Sequence, residues 1–165
     1  MPVASGRHSA RVEGDFVVFL IGFRINKPWQ VHRWVPVMWA MQPMIWELRR
    51  DPGRGLMATH LGWMFGGFAY VQYWRSFEQL ETYARARDAK HLPAWARFNR
   101  RLRGNDAVGV YHETYRVRGG EYEGVYVDMP RTGLANAGDH VPVGSSSTAS
   151  RRLGLQDDAG APVQP

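Results

Sequence analysis

The sequence predicts an α+β protein with an antiparallel sheet carrying its helices on one face, and three observations support that prediction. An apolar run, DFVVFLIGFRI at 15–25, opens the core; two strand-like stretches meet at Gly66-Gly67; and helix-patterned segments stand on either side of that pair. Read in order, the elements are strand, helix, strand, strand, helix, strand, the ferredoxin-like βαββαβ pattern.

The first strand shows no polar alternation before Arg24, so both of its faces need cover. Trp34 to Trp46 then runs without a formal charge, and Trp34, Met38, Met41, Ile45 and Leu48 recur at the spacing of one helical face. Trp39 and Trp46 fall on the opposite side, which makes this helix apolar nearly all round. Asp51-Pro52-Gly53 stops it, Pro36 suits a first turn, and Pro43 predicts a kink or a break. Residues 56–65 and 68–75 form the predicted hairpin, with Gly66-Gly67 supplying the turn. Ser76-Phe77-Glu78-Gln79 has the form of a capping box for a helix to about Arg87. A further helix at 93–102 places Trp95, Phe98 and Leu102 on one face and Arg97, Arg100 and Arg101 on the other. Residues 107–117 alternate as a strand, and 122–127 extend the sheet. A sheet with helices on one face and a first strand apolar on both leaves a face to be covered. A second copy is the simplest cover, so the expected assembly is a homodimer, a dimeric α+β barrel.

Composition sets the limits of the ordered region. The seven Trp, seven Tyr and seven Phe all lie between Phe16 and Tyr126. The expected organisation is therefore a flexible N-terminal arm at 1–14, the barrel domain at 15–130 and a mobile tail at 131–165, rich in Gly, Ser, Ala and Pro. Seven basic residues and a single acid, Asp88, between Arg85 and Arg103 account for the whole net charge of +6. The basic character is thus local, which disfavours a general nucleic-acid coat and predicts no nucleic-acid partner. The first 15 residues carry Arg7, Arg11, Glu13 and Asp15 and no apolar run, so no export signal is expected and cytoplasm is the default location. No cysteine is present, which removes thiolate chemistry and Cys-ligated metals.

The segments FVVFLIGFRINKPWQVHRWVPV (16–37), VQYWRSFEQLETYAR (71–85), HLPAWARFNRR (91–101), VGVYHETYRV (108–117) and YEGVYVDMPRTGL (122–134) resemble a family of small bacterial and fungal proteins. That family is grouped with an antibiotic-biosynthesis-type monooxygenase of the fumagillin pathway, within the dimeric α+β barrel superfamily. The resemblance implies the barrel fold and oxygenase chemistry in secondary metabolism. The superfamily also holds haem-binding members, including haem-degrading monooxygenases and aldoxime dehydratases. The cofactor expectation is accordingly haem or none.

The natural pocket lies between the sheet and its helices. His91 stands just before Leu92-Pro93, in line with Trp95 and Phe98. By resemblance to the haem-binding relatives it is the axial-ligand candidate; a His bonding the helix start is the other reading. His112 shares a strand face with Val108 and Val110, where it is either a catalytic base or a hydrogen-bonded core residue. Trp74 matches a position where barrel monooxygenases carry an aromatic beside the substrate, and Trp is equally a core filler. Arg24 and Asn26, at the end of the first strand, are substrate-binding candidates at the pocket rim. His60 poses a weaker version of the same question, His32 precedes the first helix, and His8 and His140 lie outside the core. No His-x-His, His-Glu-x-x-His or carboxylate cluster appears, so side chains alone are not expected to hold a metal, and no glycine-rich phosphate loop points to flavin.

The leading expectation is an oxidoreductase, a monooxygenase acting on a hydrophobic small molecule, either without cofactor or with haem on His91. A non-catalytic carrier of the same fold is the alternative. The uncharged span 34–46 is too short to cross a bilayer, which takes about 20 residues. It allows contact with a membrane surface, although burial against the sheet and a partner is the preferred reading.

Overall fold

The computed structural model describes residues 2–85, 100, 103–144 and 148–154. The chain forms two compact units, one of residues 17–115 and one of residues 1–16 with 116–165.

The central unit begins with β2 (Phe16–Ile25), preceded in the chain by β1 (Val3–Arg11). It continues with α1 (Val31–Ala40), α2 (Gln42–Arg50), β3 (Leu56–Met64), β4 (Gly67–Trp74), α3 (Phe77–Arg85) and β5 (Val108–Val117). Its four strands lie in the order β3-β4-β2-β5, with β4 antiparallel to both β3 and β2. The last strand therefore flanks the first and the third sits between first and second, which is the ferredoxin-like arrangement expected from the element order. The predicted helix at 93–102 and the helix extension past Arg85 fall on residues outside those described.

Alternation along β2 divides the sheet into two faces. Val17 packs with Leu48, Trp74, Leu80 and Tyr83, Phe23 packs with Val37, Ala107 and Val108, and Ile21 packs on Met41, Met44, Ile45 and Tyr70. These three clusters lie on the face that α1, α2 and α3 cover. Val18, Leu20 and Gly22 point to the other face, paired in register with Tyr73, Val71 and Ala69.

The apolar helical segment is divided in two, the break that Pro43 predicts. Met41 keeps right-handed helical angles, but Pro43 has no N–H to bond backward and takes the first turn of α2 instead. Pro36 lies inside α1, beyond the first turn expected for it. Ser76 caps α3 as predicted, with its Oγ accepting from the Gln79 N–H at 3.2 Å. The hairpin turn is shifted by one residue from Gly66-Gly67: Phe65 (φ 53°) and Gly66 (φ 81°) form it, and Gly67 already pairs with Met64. A left-handed phenylalanine costs about 1 kcal/mol, and its ring is held edge-on against Tyr111 at 5.3 Å. Asp106 ties the loop after β2 to the loop before β5, ion-paired with Lys27 and with Arg33 at 3.0 Å. Arg33 also donates to the Gly104 carbonyl at 2.9 Å.

The second unit is built from stretches that the composition suggests are arm and tail. β1 pairs antiparallel with β6 (Val125–Pro130) on one side and with β7 (Asp139–Pro142) on the other, forming a separate three-stranded sheet. The predicted strand at 122–127 thus belongs to this sheet and does not extend the central one. Backbone pairing needs no aromatic side chains, which is why aromatic content underestimates the ordered region. Phe16 and Tyr122 meet edge-on at 5.2 Å, and the Tyr122 hydroxyl donates to the Val12 carbonyl at 2.9 Å. Ala10, Val12, Leu134 and Ala135 are buried here.

His8 and His140, which the sequence places outside the core, stack at 4.4 Å across β1 and β7, with Tyr126 edge-on to His140. Burial, then the neighbouring His8 and Arg131, lower the His140 pKa from the usual 6.5. Above that value the ring is neutral in both folded and unfolded chains. As pH falls below it, the unfolded chain takes up the proton first and the folded state loses stability. Melting temperature is therefore expected to drop between pH 7.5 and 5, with a shallower drop in His140→Gln; equal slopes in a thermal-shift series would refute this.

Candidate active site

Between the covered face of the sheet and the helices lies a cavity of about 160 Å³. Phe19 and Ile21 from β2, Gln72 and Trp74 from β4, Met41, Met44, Ile45 and Leu48 from the α1–α2 pair, and Leu80, Tyr83 and Ala84 from α3 line it. Every element contributes the side chains its periodicity turns inward, so the apolar character of the walls follows directly from the core pattern.

The polar groups of the lining come from Gln72, Trp74 and Tyr83. The Trp74 indole N–H donates to Gln72 Oε1 at 2.9 Å. An indole nitrogen can only donate, so it fixes the amide orientation and leaves the Gln72 Nε2 hydrogens as the donors this residue offers. Gln72 is itself buried, and Trp74 is 1% exposed. Tyr83 donates weakly to the Met44 carbonyl at 3.4 Å. Burial, then the nearby Glu47, pushes the Tyr83 phenol well above its usual range against the opposing pull of Arg54, so it stays protonated at neutral pH. On its other side Tyr83 borders a second cleft, lined by Gly53, Arg54, Glu78, Gln79 and Thr82. Arg54 is held there by Glu47 at 3.2 Å and Asp51 at 3.0 Å.

Of the candidate site residues that the structure describes, Trp74 alone lines the cavity. His112 is exposed: it lies on the helix-bearing side of the edge strand β5, its ring 6.0 Å from that of Phe19, so the expectation of a buried core histidine is corrected. Arg24 and Asn26 are also exposed. Arg24 alternates with the cavity-lining Phe19 and Ile21 along β2 and so projects from the opposite face, where the side chain of Asn26, in the bend just past the strand, also stands beside Gly109; Arg24 donates to the Phe65 carbonyl at 3.3 Å and Asn26 to the Asp106 carbonyl at 3.4 Å. They are turn-stabilising groups and do not sit at the pocket rim. His60 pairs in register with Val71 on that same face, its ring edge-on to Tyr73, and His32 is exposed on α1. His91 lies outside the described residues.

Gln72 and Tyr83 are the two polar residues that sequence reasoning missed. Gln72 had a usable signal, because it alternates with Tyr70 and Trp74 on one strand face and is a polar residue at a core position. Among the described residues no imidazole lines the cavity, and its volume is below the roughly 300–1,000 Å³ of pockets for drug-sized ligands, so the described lining by itself does not fit haem. No cluster of three metal-ligating side chains occurs among the described residues. Among those residues, no helix is long and apolar enough to cross a membrane.

Residues 16–134 match the monooxygenase af470-like family. The chain is 30% identical over 142 residues to the monooxygenase af470 of Aspergillus fumigatus, an alignment covering 78% of this chain. It spans about half the length of that relative, 48%. No solved structure matches the chain. The match covers both the sheet and the helices that enclose the cavity, and on it the chain belongs to the monooxygenase af470-like family.

Proposed function

We propose that this protein oxidises an apolar small molecule carrying a ketone or phenol oxygen, held in the cavity beneath α1–α2 and α3. The observation that carries the reading is the pairing of apolar walls with a prearranged donor, the Gln72 amide, beside a protonated Tyr83 hydroxyl that turns to a substrate oxygen by leaving its weak bond to the Met44 carbonyl. Donors of this kind stabilise negative charge that develops on a substrate oxygen when a proton leaves, and a water-poor cavity strengthens the effect. The resulting carbanion gives its electrons to dioxygen and bonds to it, the base returns its proton to the peroxide, and loss of water with the remaining C–H proton leaves a new carbonyl, so CH2 and O2 become C=O and H2O and no step in this scheme calls on haem. His112 does not line the cavity, but its ring stands 6.0 Å from that of the lining residue Phe19, and it is the proton acceptor we assign, reaching the substrate through a water. His91 is the alternative base. Association of two copies through the face of the sheet that bears Val18, Leu20 and Val71 belongs to the same proposal.

Oxygen uptake against a panel of apolar ketones and phenols tests the reading. Gln72→Leu and Tyr83→Phe are each expected to lower kcat/KM about 100-fold, the usual loss for one oxyanion donor. Arg24→Ala, on the other face, is expected to leave it unchanged. Wild-type turnover in both donor variants would overturn the assignment. A second reading, a carrier that binds without turnover, is favoured by the cavity lining, which among the described residues contains no carboxylate and no imidazole. Tight binding of panel members with no oxygen uptake would select it.

A further inference from the structure

The solvent side of α1 and α2 is not that of an ordinary surface helix. Besides Val31 at its start, its exposed positions, His32, Trp39, Pro43, Trp46, Arg49 and Arg50, recur at helical spacing as one stripe across the break at Met41. Trp39 and Trp46 are each 61% exposed, and the Arg50 guanidinium lies over the Trp46 ring at 3.6 Å from its centroid. By contrast α3 exposes Glu78, Thr82 and Arg85 along with Ala84 and, less fully, Phe77 at its start, and Arg85 is ion-paired with Glu81 at 2.8 Å. A helix with a polar outer face is the rule; two indoles and two arginines on that face require a reason.

Two further observations extend the apolar surface within the same unit. Trp29, in the turn before α1, is 73% exposed, and Trp63 is 62% exposed on the edge strand β3. Trp63 packs edge-on to Phe68 at 5.1 Å, which places it on the helix-bearing side of the sheet. Indoles favour the boundary between headgroup and hydrocarbon, where the ring is buried and the N–H stays wet. Arginines beside them match anionic headgroups.

Charge selects the occupant. The only acid on the two helices is Glu47, which is half-buried and paired with Arg54 at 3.2 Å. A second copy docking this stripe on its own counterpart brings no carboxylate to Arg49 and Arg50, whereas an anionic bilayer surface does. We infer that the Trp39–Trp46 face of α1 and α2, with Arg49 and Arg50, docks the protein on the surface of a membrane containing anionic lipid, lying in the interface without spanning it. The inference is independent of the chemistry proposed for the cavity.

The test is flotation of the full chain with vesicles of phosphatidylcholine alone and of phosphatidylcholine with phosphatidylserine in equal parts. Wild type is expected to float with the mixed vesicles, with a blue shift of tryptophan emission, and to be released as salt rises. Arg49→Gln with Arg50→Gln is expected to weaken partitioning about 25-fold, roughly fivefold per arginine. Trp39→Ser with Trp46→Ser is expected to weaken it about tenfold or more, through lost apolar burial. All four positions are exposed, so circular dichroism of both double variants should match wild type. No flotation of wild type, or equal flotation of wild type and both double variants, would overturn the inference. So would conversion of a dimer to a monomer by the tryptophan pair with no change in vesicle binding, which would make the face a contact between copies.

Discussion

Trp74→Ala is expected to destabilise the central unit by about 3–5 kcal/mol, the cost of truncating a large buried aromatic. Trp74 packs against Val17, Leu48, Leu80 and Tyr83 and pairs in register with Val17 on β2. Its loss enlarges a cavity that already exists on one side of the ring, so the walls have little support from which to close the gap. A second effect follows from the hydrogen bond: without the indole N–H, Gln72 Oε1 loses the partner that orients it inside a buried strand. Trp74→Phe separates the two contributions, retaining most of the packing while removing the donor, and about 1–2 kcal/mol is expected for it. Urea unfolding of the three proteins measures both. A loss below 1 kcal/mol for Trp74→Ala would mean that the cavity collapses freely and that its walls are not prearranged for a ligand. The same pair of variants bears on the proposed chemistry, because an unoriented Gln72 amide loses its value as a donor even where the fold survives.

Gly67→Ala is expected to cost about 3 kcal/mol or more, unusual for the addition of one methyl group. A Cβ at position 67 would stand 1.8 Å from the Phe23 carbonyl oxygen and 2.9 Å from the Arg24 Cα, both backbone atoms of the neighbouring strand. A side chain could rotate away from such an overlap. The backbone of β2 cannot, because it is held by β4 along the register from Val17–Trp74 to Gly22–Ala69. Relief therefore requires parting the two central strands at the hairpin end. Gly62→Ala is the control on the adjacent strand, since its added Cβ meets nothing within 4 Å, and a change within about 0.5 kcal/mol is expected. Thermal melts of the two variants decide the matter; similar melting temperatures would show that the central strands separate without difficulty. The glycine pair so conspicuous in the sequence thus has a divided role, with Gly66 supplying the left-handed turn and Gly67 the close approach.

The fold of residues 16–85 and 108–117 was legible because each element carries a local signature. Val, Ile and Phe run through β2, Met and Trp recur at helical spacing through α1 and α2, Gly66 marks a hairpin, and Ser76 caps α3. The three-stranded sheet of β1, β6 and β7 was not legible. Its strands hold together largely by backbone hydrogen bonds between segments more than a hundred residues apart, with few large apolar side chains to announce them.

The candidate site divides in the same way. Trp74 was identifiable as a large aromatic on the inner strand, but its partner Gln72 acquires meaning only when the indole N–H and the amide oxygen are seen to meet. Arg24 and His112 are polar residues at strand positions and Asn26 follows one residue past a strand, and alternation alone cannot say which face a helix will cover or where an edge lies open. The tertiary structure decided that by laying α1, α2 and α3 on the Phe19–Ile21 side, which left Arg24 and Asn26 on the other face and His112 exposed on the edge strand. It decided the tryptophans likewise. The sequence by itself determined that the helical segment is apolar nearly all round, while the packing of Val37, Met44 and Leu48 inward determined that Trp39 and Trp46 face out. Local order is encoded by neighbours along the chain, whereas exposure depends on which surfaces the folded chain happens to cover, and that is a property of non-local packing.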